Sequence, residues 1–138
     1  MILNVNSDAS YISSKEAQSR ASGHLLIVWT PRDSHSIRLN ITIFTLYTIL
    51  KFFAALSAEA ESNALFLNAK ETKIIRLMLH KIRHPKPPTP IHCDNATSAG
   101  ISNGTIKRQH SQSMEMCYFY ICDLVKNKAV QVLWHPGQ

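Results

Sequence analysis

The order of the apolar patterns constrains this chain more than any single segment does. Alternating runs come first, a long helical stretch follows, and strand and helix patterns then alternate. "ILNVNSDAS", "HLLIVWT" and "SIRLNITIF" are β-branched runs that read as strands, the last two separated by the turn chemistry of "PRDSHS". Three strands in succession imply antiparallel hairpins. From Ser57 to about Arg83, the residues Ala60, Ala64, Leu67, Ile74, Ile75, Met78 and Ile82 recur at helical intervals, with Ser57 as N-cap and "HPKPPTP" as the stop. "PIHC" reads as a fourth strand, "NATSAGISNG" as a short helix, "HSQSMEMCYFYICDLVKN" as a second substantial helix and "AVQVLW" as a fifth strand. The expected class is α/β or mixed α+β.

The chain has 138 residues, 45% of them hydrophobic and only four of them glycine, which predicts one globular domain over residues 1–138 rather than disorder. A formal charge of +6 favours a polyanionic partner, nucleic acid ahead of an acidic membrane surface. Cys93, Cys117 and Cys122 have no zinc-ligand spacing and cannot pair off within the chain, so buried, reduced thiols in an intracellular compartment are expected. "MILNVNSDAS" lacks the build of a signal peptide, and no run reaches the 18 apolar residues of a membrane span. Cytoplasm or nucleus, with no membrane association, is the resulting expectation, and the sequons at Asn40, Asn95 and Asn103 read as chance matches.

A sheet buries its middle and presents chemistry where strands end and helices begin. Asp8 closes the first strand, Asp94 closes the fourth, and Glu61 lies about one turn into the first long helix. If the first and fourth strands are neighbours, these carboxylates converge. Clustered carboxylates repel one another unless one takes a proton or a cation joins them, and oxygen-only ligands suit Mg²⁺ or Mn²⁺ better than Zn²⁺. Two such ions about 3.5–4 Å apart can activate a water and stabilise the leaving oxygen of a phosphodiester. The plainer alternative makes Asp8 and Asp94 turn formers and Glu61 a favourable partner of the helix dipole.

The segments "NSDASY", "LSAEAESNALFLNAKE", "TPIHCDNATSAGI", "KRQHSQSMEMCYFY" and "VLWHPGQ" resemble, in order and over nearly the whole chain, the ribonuclease H domain of copia-type retrotransposon polyproteins. The resemblance implies a ribonuclease H-like α/β fold, a five-stranded mixed sheet with three antiparallel strands first and helices on both faces. It implies hydrolysis of the RNA strand of RNA–DNA hybrids, with two Mg²⁺ ions, or Mn²⁺ in their place, held by Asp8 of "SDAS", Glu61 of "AEAES" and Asp94 of "CDN". Glu59 competes with Glu61, about 200° away around the helix; the family's catalytic glutamate is followed by two residues and then Ala, here "ESNA".

His135 in "WHPG" matches a mobile-loop histidine of the wider ribonuclease H family that serves proton transfer or product release; the alternative is an ordinary exposed histidine. Lys107, Arg108 and His110 form the densest basic group, either a grip on a hybrid's phosphates or a solvated loop. Asn95 is a candidate contact to ribose 2′-hydroxyls or else a helix N-cap. Met114, Cys117, Tyr118 and Ile121 share one helix face and read as core, Cys117 standing where relatives often carry a basic residue.

The family's fourth acid sits in an "NLAD"-like segment a few residues past "HPGQ", at the start of the last helix, whereas Gln138 is the final residue here. The expectation is a C-terminally truncated domain without that helix, with one metal held well, a second held weakly, and reduced activity and stability. "ITIFTLYTILKFFAAL" is more apolar than the family's approach to the first helix. A monomer acting on RNA–DNA hybrid is expected, with reverse transcriptase or integrase regions of a parent polyprotein as further partners. The competing readings are a catalytically inactive nucleic-acid-binding module and a non-functional retroelement relic.

Overall fold

The computed structural model describes residues 2–10, 18–28, 40–50, 57–96, 100 and 115–134. They form β1 (Ile2–Ser10), β2 (Arg20–Val28), β3 (Asn40–Ile49), α1 (Ser57–Lys81), β4 (Thr89–Cys93), α2 (Glu115–Lys126) and β5 (Val130–Trp134). The strands make one five-stranded mixed sheet in the order β3-β2-β1-β4-β5. β1 pairs antiparallel with β2 and β2 with β3, whereas β1–β4 and β4–β5 are parallel. The three leading strands are therefore antiparallel, as their succession predicts, and β1 lies beside β4. Ala96 and Gly100 are helical, and the rest of the expected short helix lies outside the described residues.

Alternation along the strands sets the core. Leu3, Val5 and Ser7 of β1 are buried while Asn6 and Asp8 between and beyond them are exposed, the period of two that one covered face requires. Val5, Leu25, Ile91, Cys93, Val130 and Val132 of the sheet pack with Leu65 and Ala69 of α1 and Ile121 and Leu124 of α2. Both described helices thus lie on the same face and touch through the edge-to-face ring pair Phe66–Tyr120, 5.2 Å between centroids.

Three details differ from the apolar pattern. β2 starts at Arg20 rather than at His24, and β3 runs on to Ile49, taking in half of "ITIFTLYTILKFFAAL". Strand extent follows the partner: Ser10 pairs with Arg20 and Arg20 with Ile49, so polar and small residues are carried into the sheet by the ladder. Ile74 and Met78 on α1, and Ile82 just past its end, are 47%, 61% and 63% exposed. The face that meets the sheet is built instead from Ala60, Ala64, Asn68 and Thr72, spaced four apart. Past Thr72 the helix faces the proline-rich connector, where Arg76 donates from Nη1 to the Pro87 carbonyl (2.6 Å) and Thr89 Oγ1 (2.8 Å), and from Nη2 to the Lys86 carbonyl (3.1 Å).

Small residues let α1 approach closely. Asn68 Nδ2, fully buried, donates to Ser7 Oγ (3.0 Å) and the carbonyls of Ser22 (3.1 Å) and Ala64 (2.9 Å), tying α1 to both β1 and β2. A Cβ at Gly23 would overlap this amide. Gly23→Ala is expected to destabilise the fold by about 1–3 kcal/mol, the usual range for overpacking. Urea unfolding of Gly23→Ala, Asn68→Ala and the double variant should show strong coupling, because shortening Asn68 frees the space; additive effects would contradict the contact.

Among the described residues no helix is long and apolar enough to cross a membrane. The three cysteines are free; Cys93 and Cys117 are buried, as expected, whereas Cys122 is only partly buried.

Candidate metal centre

The parallel pairing of β1 with β4 sets Val5 beside Ile91 and Asn6 beside His92. Asp8 and Asp94 each lie three residues beyond the first of these pairs, so the register brings both carboxylates to the same end of the two central strands. Glu61 comes from the first turns of α1, where Ala60 and Ala64 pack down on the sheet side and carry Glu61 inward, leaving it 7% exposed. Ligand oxygens of Asp8, Glu61 and Asp94 all lie within 4.8 Å of one another. Asp8 and Asp94 are exposed and Glu61 is buried, so the cluster has a floor and an open mouth.

The electrostatics of this trio are unfavourable as they stand. Burial, followed by the charges of Asp94 and Asp8, pushes the Glu61 carboxyl from its ordinary 4.5 up to about 8, against the opposing hydrogen bond from the Ala9 backbone N–H. That bond, 3.2 Å to Oε1, fixes the carboxyl plane. Oε2 is buried with no hydrogen-bond partner. A buried, orphaned carboxylate oxygen beside two further carboxylates is the donor set that a hard divalent cation fits, and among the described residues no nitrogen or sulfur donor belongs to the cluster. Cys93 is close by, but burial first, and then the Glu61 and Asp94 charges, hold its thiol up at about 11, so it stays protonated.

Two supports come from contacts that the residue pattern did not single out. The Trp134 indole Nε1–H donates to the Asp94 backbone carbonyl at 3.0 Å, so the end of β5 steadies the end of β4. On the other side of Glu61, the buried Cys117 thiol of α2 donates to Asn63 Oδ1 at 3.6 Å, linking the second helix to the turn that carries the glutamate. Trp134 lies inside the motif "VLWHPGQ", and it reaches Asp94 because it pairs with Cys93 across the parallel β4–β5 ladder.

Of the residues singled out in the sequence, Asp8, Glu61 and Asp94 come together, and Glu59 lies outside the cluster. Asn95 is partly buried and immediately precedes helical Ala96, the position of an N-cap. Lys107, Arg108, His110 and His135 lie outside the described residues.

In sequence the chain matches no protein-family model and no curated protein. In structure it is similar to the N-terminal ribonuclease H domain of Rv2228c from Mycobacterium tuberculosis, with a TM-score of 0.64 at 12% identity over 99% of this chain and 88% of that one. It is similar to LC11-RNase H1 in complex with RNA/DNA hybrid, with a TM-score of 0.64 at 9% identity over 97% and 85%. The ribonuclease H domain of prototype foamy virus matches with a TM-score of 0.60 at 13% identity over 99% and 79%. At these identities the likeness is one of fold, and the chain has the ribonuclease H-like fold.

Proposed function

We propose that this chain is a divalent-metal-dependent ribonuclease that hydrolyses the RNA strand of RNA–DNA hybrids, and that it derives from a copia-type retrotransposon polyprotein. The observation that carries the activity is the convergence of Asp8, Glu61 and Asp94 around a buried Glu61 oxygen that lacks a donor. The fold shared with LC11-RNase H1, which is seen with RNA/DNA hybrid, and the charge of +6 support the substrate. The order of the motifs supports the origin.

Asp8, Glu61 and Asp94 would hold Mg²⁺ or Mn²⁺, which supplies activation of water and neutralisation of charge on the phosphodiester oxygens. The remaining work falls to the chain itself. Ala9 N–H orients Glu61, Trp134 steadies the Asp94 backbone, and exposed Asp8 and Asp94 present their oxygens to the solvent side, where a phosphate backbone can reach them. We assign His135 to proton transfer or product release, Lys107, Arg108 and His110 to phosphate contact, and Asn95 to a ribose 2′-hydroxyl. Reverse transcriptase or integrase regions of the parent polyprotein are the proposed protein partners.

The test is cleavage of end-labelled RNA–DNA hybrid, single-stranded RNA and duplex DNA by the full chain with Mg²⁺, Mn²⁺ or chelator. Cutting of the RNA strand in the hybrid alone, lost on chelation, is expected. Salt-sensitive binding without cleavage in either metal would overturn the enzyme and leave a binding module.

A further inference from the structure

β3 is an outer strand of the sheet, and among the described residues only β2 pairs with it. Among the described residues, one row of its backbone N–H and C=O groups therefore has no strand partner and can take water or another strand. Natural edges of this kind are blunted by lysines, prolines, shortness or a bulge. The ten residues of β3, "NITIFTLYTI", include no charge and no proline. The one irregularity, a register shift opposite Leu25/Leu26, falls in the first half and leaves Phe44 to Ile49 paired in regular steps with Leu25 to Arg20. The opposite edge, β5, is half as long, five residues against ten. α1 lies over β1, β2 and β4, so it does not stand over the free edge.

Side chains on β3 are unusually apolar for a strand facing water: Ile41 is 58% and Tyr47 66% exposed, with Ile43 and Ile49 also exposed. Thr45, Tyr47 and Ile49 pair with His24, Ser22 and Arg20, and therefore share the sheet face turned away from the helices. Tyr47 is braced there by Arg20, whose Nη1 donates to its hydroxyl at 2.7 Å.

We infer that β3 pairs antiparallel with β3 of a second copy of this chain, joining two five-stranded sheets into one continuous sheet about a two-fold axis. A row of backbone donors and acceptors is matched in full by another strand, and the uncharged sequence of β3 favours its own copy over a charged partner. Two chains of +6 repel across most of their surface, and an uncharged strand set against its own copy places no like charges opposite one another. The axis runs normal to the sheet, so the row Thr45, Tyr47, Ile49 meets the same row in reverse. Those are aromatic and β-branched cross-strand pairs of the stabilising kind. A single strand pair buries less than a standard interface, so the dimer is weak and concentration-dependent. Added salt strengthens it by screening the repulsion between the two positive chains, the reverse of its effect on nucleic-acid binding.

Sedimentation velocity of the full chain from about 1 to about 200 μM, a range that brackets a weak association, tests this. The average mass should rise from one chain toward two, and rise further at higher salt. Thr45→Lys and Ile49→Lys, two exposed positions of the paired row, should each weaken the association at least tenfold, whereas Met78→Lys on the exposed ridge of α1 should leave it unchanged. A monomer at every concentration, a dimer that survives both edge variants, a dimer lost in Met78→Lys, or association that weakens with salt overturns the proposal.

Discussion

Asp94→Asn is expected to remove Mg²⁺-dependent cleavage of the hybrid's RNA strand by about 10²–10³-fold or more, the scale associated with losing one preorganised electrostatic group. The substitution is close to isosteric and sits at an exposed position, so the fold has little reason to respond. The hydrogen bond from Trp134 reaches the Asp94 backbone carbonyl rather than its side chain, and it survives the exchange. Only charge is lost: three clustered carboxylates become two, and the divalent ion loses one anionic ligand. Because Asp94 is the larger of the two charges that raise the Glu61 carboxyl, the variant should also let Glu61 ionise at lower pH. Single-turnover cleavage together with thermal melting checks both parts. Wild-type cleavage by a well-folded Asp94→Asn chain would sink the proposed site.

The second large effect concerns pH. Without metal, Glu61 holds its proton up to about 8 in the fold, compared with an ordinary 4.5, because burial and the Asp94 and Asp8 charges disfavour the anion. The folded state thus binds a proton that the unfolded chain has released, and stability falls as pH rises through that interval. Its contribution is complete below about 4.5 and gone above about 8. After allowance for solvent screening at the open mouth of the cluster, this amounts to roughly 1–3 kcal/mol. Mg²⁺ acts in the opposite direction, binding the ionised trio, so its gain in melting temperature should be larger at the alkaline end. Glu61→Gln keeps the size of the side chain and removes its titration. The variant should show a flatter melting profile in chelator from about pH 5 to about pH 9 and a smaller gain from Mg²⁺. An unchanged pH slope would place the titration elsewhere.

These predictions rest on features that differ in how far the sequence exposes them. Asp8 and Asp94 stand out because each follows a short apolar alternation, and a strand's end is a local property. The choice between Glu59 and Glu61 is less local: both lie in the first turns of the helix, and the "ESNA" motif separated them before the buried face of α1 did. Ile74, Met78 and Ile82 belong to the helical apolar recurrence that begins at Ala60, yet these three are exposed. Periodicity gives a face, and it does not say how far along the helix the sheet extends. Asn68 and Thr72 are polar, so a hydrophobic pattern passes over them, although they are fully buried.

The sequence by itself determined the succession of elements, the antiparallel leading strands and the presence of acids at the ends of β1 and β4, because alternation, caps and prolines act over a few residues. Only the tertiary structure decided that β1 and β4 run side by side in register, that Glu61 is buried with one oxygen unpartnered, and that Trp134 braces Asp94. Register and desolvation arise between segments far apart in the chain, and local periodicity carries no information about which distant surface a side chain will meet.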